Sequence, residues 1–186
     1  MEYAPLPSPA SHHRPPLTGA ADAHDSPGAG SERALLAVDL GVRTGLALYG
    51  GDGRLRWYRS QNFGSALRLR RAVPPLLDAL PAVVRLVIEG GGALADGWVR
   101  EATRRHLTVR QIGAEEWRRL LLLPREQRRG ADAKRHASTL ARRVIEWSDA
   151  PRPTTLRHDA AEAILTGLWG VLEAGWLPSL PPPVRR

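Results

Sequence analysis

Residues 35–50, LLAVDLGVRTGLALYG, constrain the fold more than any other stretch of the chain. An apolar, largely β-favouring run (Leu35, Leu36, Ala37, Val38) delivers one carboxylate, Asp39, and a Gly-x-x-Thr-Gly turn then feeds a second apolar run. The pattern is that of a hairpin with an acid at its mouth. An unbroken apolar run suits a strand covered on both faces, where a charge is tolerated only at the end or beside a partner such as a metal. Gly41 and Gly45 let the backbone turn sharply and leave room beside the acid for a phosphate or a metal. The competing reading is that Asp39 only starts a turn, as Asp often does.

At 186 residues the chain fits one domain with a full core and a tail to spare. No apolar run approaches the roughly 20 residues that span a bilayer, so a soluble protein without a membrane partner is expected. Cysteine is absent, which excludes disulfides and thiolate metal sites. Any metal must be held by carboxylates, with His in support, and that donor set favours hard ions such as magnesium or manganese. The net charge of +8 is concentrated: residues 97–143 hold 13 Arg or Lys against five acids (Glu101, Glu115, Glu116, Glu126, Asp132). Such clustering suggests a polyanionic partner, the alternative being an Arg-rich composition that solvates helix faces.

Residues 1–33 are rich in Pro, Ala, Ser, Gly and His, with almost no large apolar residue after Leu17. They cannot bury enough surface to offset their ordering entropy and are expected to form a disordered tail. The tail lacks the basic start and apolar centre of a secretory signal, and Glu2, Asp22 and Asp25 do not suit a transit peptide. His12 and His13 read as tail composition rather than as ligands. After the hairpin, a Gly-rich turn at 50–53 leads into a third, partly exposed strand over 54–62. Ser65 is placed to cap a helix over 65–80 that Pro74 and Pro75 should break or kink. A buried-type strand over 83–88 ends on a second acid, Glu89, and runs into three glycines. The remaining pattern predicts a short basic helix over 97–106, a strand over 107–112, a helix over 114–123, a basic loop over 124–130, and helices over 131–147 and 158–174. The order β-β-β-α-β-α-β-α-α-α describes an α/β domain over 34–178, with a mixed five-stranded sheet flanked by helices and a short Pro-rich tail at 179–186.

The last helix opens with HDAAEA, and Asp159 and Glu162, three apart, share one of its faces. Alanines around them let that face approach the sheet closely. A capping box explains the pair without any metal, with Asp159 as N-cap and Glu162 at the third position. Together with Asp39 and Glu89, however, the pair forms a set of acids able to reach one cleft. Acids packed so closely repel one another unless a cation neutralises them. Two magnesium ions roughly 4 Å apart would do so and would also hydrolyse a phosphodiester, while the basic stretch grips the nucleic acid.

These features resemble the RNase H-like superfamily, and specifically the RuvC-type Holliday junction resolvases. The resemblance rests on the strand with Asp39 and its Gly-x-x-Thr-Gly turn, the strand ending VIE at Glu89, the segment GADAK around Lys134, and the closing HDAAEA. In order and spacing it covers nearly everything after the tail. It implies a metal-dependent, structure-selective endodeoxyribonuclease: a homodimer that places symmetrical nicks in a branched, four-way DNA junction with Mg2+, for which Mn2+ substitutes. Asp39 would bridge both ions, Glu89 and Asp159 would each complete one, and Glu162 would be the fourth acid. Lys134 would sit near the scissile phosphate, unless it is an ordinary helix-surface lysine. Three departures mark a divergent relative: Asp-Leu-Gly in place of Asp-Pro-Gly after the first strand, glycines in place of Gln after Glu89, and Glu162 in place of Asp.

Trp57, Tyr58, Phe63 and Trp98 are candidates for wedging into a junction or stacking on its bases. Three rival functions are an RNase H-like nuclease of the YqgF type acting on ribosomal RNA precursors, a non-catalytic junction-binding protein, and an actin-like kinase. The last needs a second domain and a second phosphate loop that this length does not hold, so no nucleotide cofactor is expected. Cytoplasmic, nucleoid-associated placement is expected for a bacterial protein, with an organellar or phage-encoded origin as the alternative.

Overall fold

The computed structural model describes residues 33–126 and 130–185. Five strands, β1 (Ala34–Asp39), β2 (Arg43–Gly50), β3 (Leu55–Asn62), β4 (Val83–Glu89) and β5 (Thr108–Ile112), form one sheet in the order β3-β2-β1-β4-β5. The first three strands are an antiparallel meander, and β4 and β5 run parallel to β1. Parallel neighbours need crossovers, here α1 (Ala66–Asp78) and α2 (Ala93–Arg104), which pack on one face of the sheet. The opposite face carries α3 (Ala114–Leu121), α4 (Gly130–Trp147) and α5 (His158–Glu173). The mixed α/β sheet read from the sequence is therefore the one observed.

Covering both faces explains the unbroken apolar run of β1. Leu35 and Ala37 belong to the core under α3–α5, Leu36 and Val38 to the core under α1 and α2, and all four are 0% exposed. Each Leu or Val so buried contributes about 1.5–3 kcal/mol. The helix α5 lies unusually close to the strands because its sheet-facing stripe is small. A Cβ at Gly170 would stand 2.8 Å from Val87 Cγ2, and at Gly167 it would meet the Tyr49 ring. The Tyr49 hydroxyl donates 2.7 Å to the Ile164 carbonyl in the interior, which pins β2 to the middle of α5.

Several expectations need correction. Pro74 and Pro75 do not break α1, which runs continuously through them. The carbonyls that lose their donors belong to Arg70 and Arg71 on the exposed side, open to water, while Leu69, Val73, Leu76 and Leu77 keep the inner face buried. Ser65 does cap this helix, accepting from the Arg68 amide at 3.2 Å, but Leu67 faces solvent. The helix α2 begins at Ala93 rather than at 97, entered through Gly92 at φ 68. The expected basic loop starts with a single 3-10 turn, Pro124–Glu126. Residues 179–185 lie against the core, with Val184 buried and Arg185 donating 2.6 Å to the Leu180 carbonyl. The expected disorder of residues 1–33 falls, apart from Arg33, outside the described residues. Among the described residues no helix is long and apolar enough to cross a membrane.

Candidate active site

One row of residues crosses the sheet where the strands of the first motif end. Asp39, the last residue of β1, pairs in parallel register with Glu89, the last of β4. Gly45 of β2 faces Asp39 across the antiparallel ladder, and Ser60 of β3 faces Gly45. Strand alternation sets the side of the sheet. Leu35, Ala37 and Val87 point toward α5, so Asp39 and Glu89, an even number of residues further on, do the same.

The first turns of α5 lie over this row. A Cβ at Gly45 would stand 3.0 Å from the Ala160 nitrogen and closer still to the Asp159 carbonyl. The space beside Gly45 thus holds the helix backbone, not the phosphate or metal expected there. At Gly41 a Cβ would lie 2.8 Å from the Arg43 carbonyl, so the turn itself fills that space. Asp159 is not a cap: the N-cap of α5 is Arg157, no side chain caps the helix, and the Asp159 carboxylate accepts a short hydrogen bond from Ser60 Oγ. Glu162, one turn on, pairs with Arg118 Nη2 of α3 at 3.0 Å. Thr166, a further turn along the same stripe, donates 2.9 Å to Glu89 Oε2, which also accepts from Trp117 Nε1 at 2.8 Å.

The four acids act on one another electrostatically. The Asp39 carboxyl is pushed up to about 8, first by burial, then by the charges of Glu89, Glu162 and Asp159, with Arg118 pulling the other way. Glu89 is also raised above the ordinary carboxylate range, again chiefly by burial, against the hydrogen bonds from Thr166 and Trp117. At neutral pH such a cluster favours either a proton or a cation. Its donors are all hard oxygens, which fit magnesium or manganese in type and in charge. In the arrangement described, Glu89, Asp159 and Glu162 have each turned to a protein partner, and no three acidic or His side chains among the described residues converge into a ligand set. One oxygen of each carboxylate is engaged in this way: Glu89 Oε2, Asp159 Oδ2 and Glu162 Oε1.

Lys134 does not join this cluster directly. It is exposed on α4, and no hydrogen bond or ion pair among the described residues links it to the acids. The C-terminal end of α4 is tied to the β2–β3 turn by Arg54 Nη1 on the Trp147 carbonyl at 2.5 Å. Trp98 and Phe63, at 0% and 8% exposure, are core residues and cannot enter a junction without unpacking. Trp57 is half-buried with Arg59 5.2 Å from its ring centre, and the Tyr58 hydroxyl donates to the Pro151 carbonyl.

Sequence reasoning misses Ser60, Arg118, Thr166 and the polar role of Trp117. Thr166 carries a signal, lying seven residues after Asp159 and four after Glu162 on the same helix. Arg118 is one basic residue among many, and Ser60 sits in a strand whose faces the pattern does not separate.

No protein-family model and no curated protein sequence matches the chain. Among solved structures it is similar to the yeast mitochondrial Holliday junction resolvase, with a TM-score of 0.53 and 9% identity over 78% of this chain and 82% of that one. It also aligns with the catalytic core domain of BIV integrase at 13% identity over 74% and 82% of the two chains, but a TM-score of 0.33 is too loose to carry an argument. At 9% identity the first likeness shows the fold alone. With the strand order above, it places the chain in the RNase H-like fold class and does not single out the RuvC type within it.

Proposed function

We propose that the chain is a divalent-metal-dependent, structure-selective endodeoxyribonuclease that resolves four-way DNA junctions as a homodimer by symmetrical nicking. The observation that carries this reading is the in-register pairing of Asp39 with Glu89 beneath the turns of α5 that bear Asp159 and Glu162. The resolvase named above, with the same fold, supports the choice of substrate. Asp39, Glu89, Asp159 and Glu162 would hold Mg2+ or Mn2+. When bound, the ions supply activation of water and charge stabilisation at the phosphodiester.

The chain's own residues prepare the site. Thr166 and Trp117 fix one oxygen of Glu89, so that its carboxylate has a single orientation. Ser60 holds Asp159 at the edge of a shallow groove of about 230 Å³ lined by Tyr58, Arg59, Thr155 and Arg157. Arg59 and Arg157 are exposed there and suited to the phosphates flanking the cut. Basic side chains of α3 and α4, which lie on the same face of the sheet as α5, Lys134 included, would extend that grip.

The test is cleavage of a labelled mobile four-way junction by the full chain, beside linear duplex, a replication fork and structured RNA, in magnesium and in calcium. Paired symmetrical nicks on the junction, lost in Asp39→Asn while binding survives, are the expected result. Cutting of RNA alone would move the substrate to ribosomal RNA precursors, and tight junction binding without cutting in any metal would make the acids structural.

A further inference from the structure

Arg118 stands against the acid cluster, and no step of the proposed hydrolysis uses it. Its Nη2 meets Glu162 Oε1 at 3.0 Å, and its guanidinium lies 5.1 Å from the centre of the Trp117 ring. Trp117 in turn donates to Glu89, so the arginine lies over the ring of the residue that orients a second acid. The influence of its charge also reaches Asp39 and Glu89, lowering the proton affinity of both. The ion pair is partly sheltered, with Arg118 and Glu162 side chains 32% and 18% exposed. It is therefore screened less than a fully exposed pair and is a charge-assisted hydrogen bond.

A carboxylate oxygen engaged by a guanidinium is a poorer ligand for a metal ion, because both cations draw on the same lone pairs. Arg118 also supplies in the metal-free protein some of the neutralisation that a divalent ion would supply. Given the reading of the four acids as metal ligands, on which the inference rests, we propose that Arg118 is a resident counter-cation that competes with the divalent ion for Glu162. Loading the site is then an exchange in which Glu162 gives up the arginine and takes the metal. The cation–π contact with Trp117 makes arginine suited to this post: a cation held over a ring can release one hydrogen bond without leaving the site. Lysine keeps the charge but not the fork of donors.

The test compares the full-length wild type with Arg118→Gln and Arg118→Lys, measuring Mg2+ and Mn2+ affinity by calorimetry and the melting temperature in chelator. Arg118→Gln is expected to bind Mn2+ about tenfold more tightly and to melt lower without metal, so that metal raises its melting temperature by more than it raises that of the wild type. Arg118→Lys is expected to fall between, near threefold, and decides the matter where the Gln variant does not fold. A residue that only supports the fold would not raise metal affinity when removed. Unchanged or weaker metal binding by the variants overturns the inference while leaving the nuclease reading intact. Binding by Arg118→Gln but not by the wild type is the extreme form of the competition and supports it. Binding by none of the three overturns both.

Discussion

Replacing Gly45 with alanine tests whether α5 is positioned by backbone contact with the sheet. The new Cβ would stand 3.0 Å from the Ala160 nitrogen and nearer the Asp159 carbonyl, where ordinary contact begins at 3.4 Å. Both opposing groups are backbone, so no side chain can swing aside. Further along, α5 is held by the Tyr49 hydroxyl on Ile164 and by the close seats of Gly167 and Gly170. Relief therefore comes as a tilt that lifts the first turn by on the order of 1 Å, and overpacking of this kind costs about 1–3 kcal/mol. For a folded region of this size the melting temperature should fall by roughly 3–9 °C. Asp159 and Glu162 ride on the lifted turn, and a misplacement near 1 Å costs about 100-fold in rate. Melting by circular dichroism and junction cleavage are the two assays. The control is Gly130→Ala, where a Cβ meets nothing within 4 Å among the described residues. A Gly45→Ala protein with wild-type melting and wild-type cleavage would refute the placement of α5; a lowered melting temperature with unchanged cleavage would refute the need for close approach.

Two further predictions concern the acids. Asp39 keeps its proton to about pH 8 when folded and loses it near 3.8 when unfolded. Between those values the metal-free native state binds more protons than the unfolded state, so its stability falls as pH rises, by at most about 1.4 kcal/mol per pH unit. Urea midpoints in chelator should be lower at pH 8 than at pH 5 for the wild type, with a smaller difference for Asp39→Asn; equal wild-type midpoints would contradict this. Thr166→Val keeps the shape but removes a hydrogen bond that lowers the Glu89 pKa. It should cost roughly 1.5–3 kcal/mol and move the acidic limb of the cleavage profile to higher pH, and an unmoved limb would show that Glu89 does not govern it.

The parts of this structure that were legible from the sequence are those where local pattern reports local burial. The run from Leu35 to Val38 shows no polar alternation because both faces of β1 are covered, and Asp39 and Glu89 end strands because a charge is tolerated only where the covering stops. The close approach of the first turns of α5 was legible from the alanines around Asp159 and Glu162, whereas the seats of Gly167 and Gly170 further along were not read. What was not legible is pairing across distance. Ser60 meets Asp159 over 99 residues and Arg118 meets Glu162 over 44, and no periodicity within either segment encodes the other. Gly45 misled for a related reason: an empty Cβ position looks like room for a ligand until the element that fills it is known. The prolines of α1 misled because their cost depends on which carbonyls go unpaired, and the sequence does not mark Arg70 and Arg71 as the exposed pair.

The acids arrive from three separate stretches of chain, ending β1, ending β4 and opening α5, and α5 is the last helix in order. A growing chain that has emerged only as far as α4 has every strand of its sheet and half of its acids, with Asp39 and Glu89 already side by side but open above. Completion of the charge cluster, and of the Tyr49 to Ile164 tie that seats the helix, waits on the final helix. Under the proposed function, a copy that stops before α5 would carry Asp39 and Glu89 without the helix that brings Asp159 and Glu162 over them, and would not assemble the complete site.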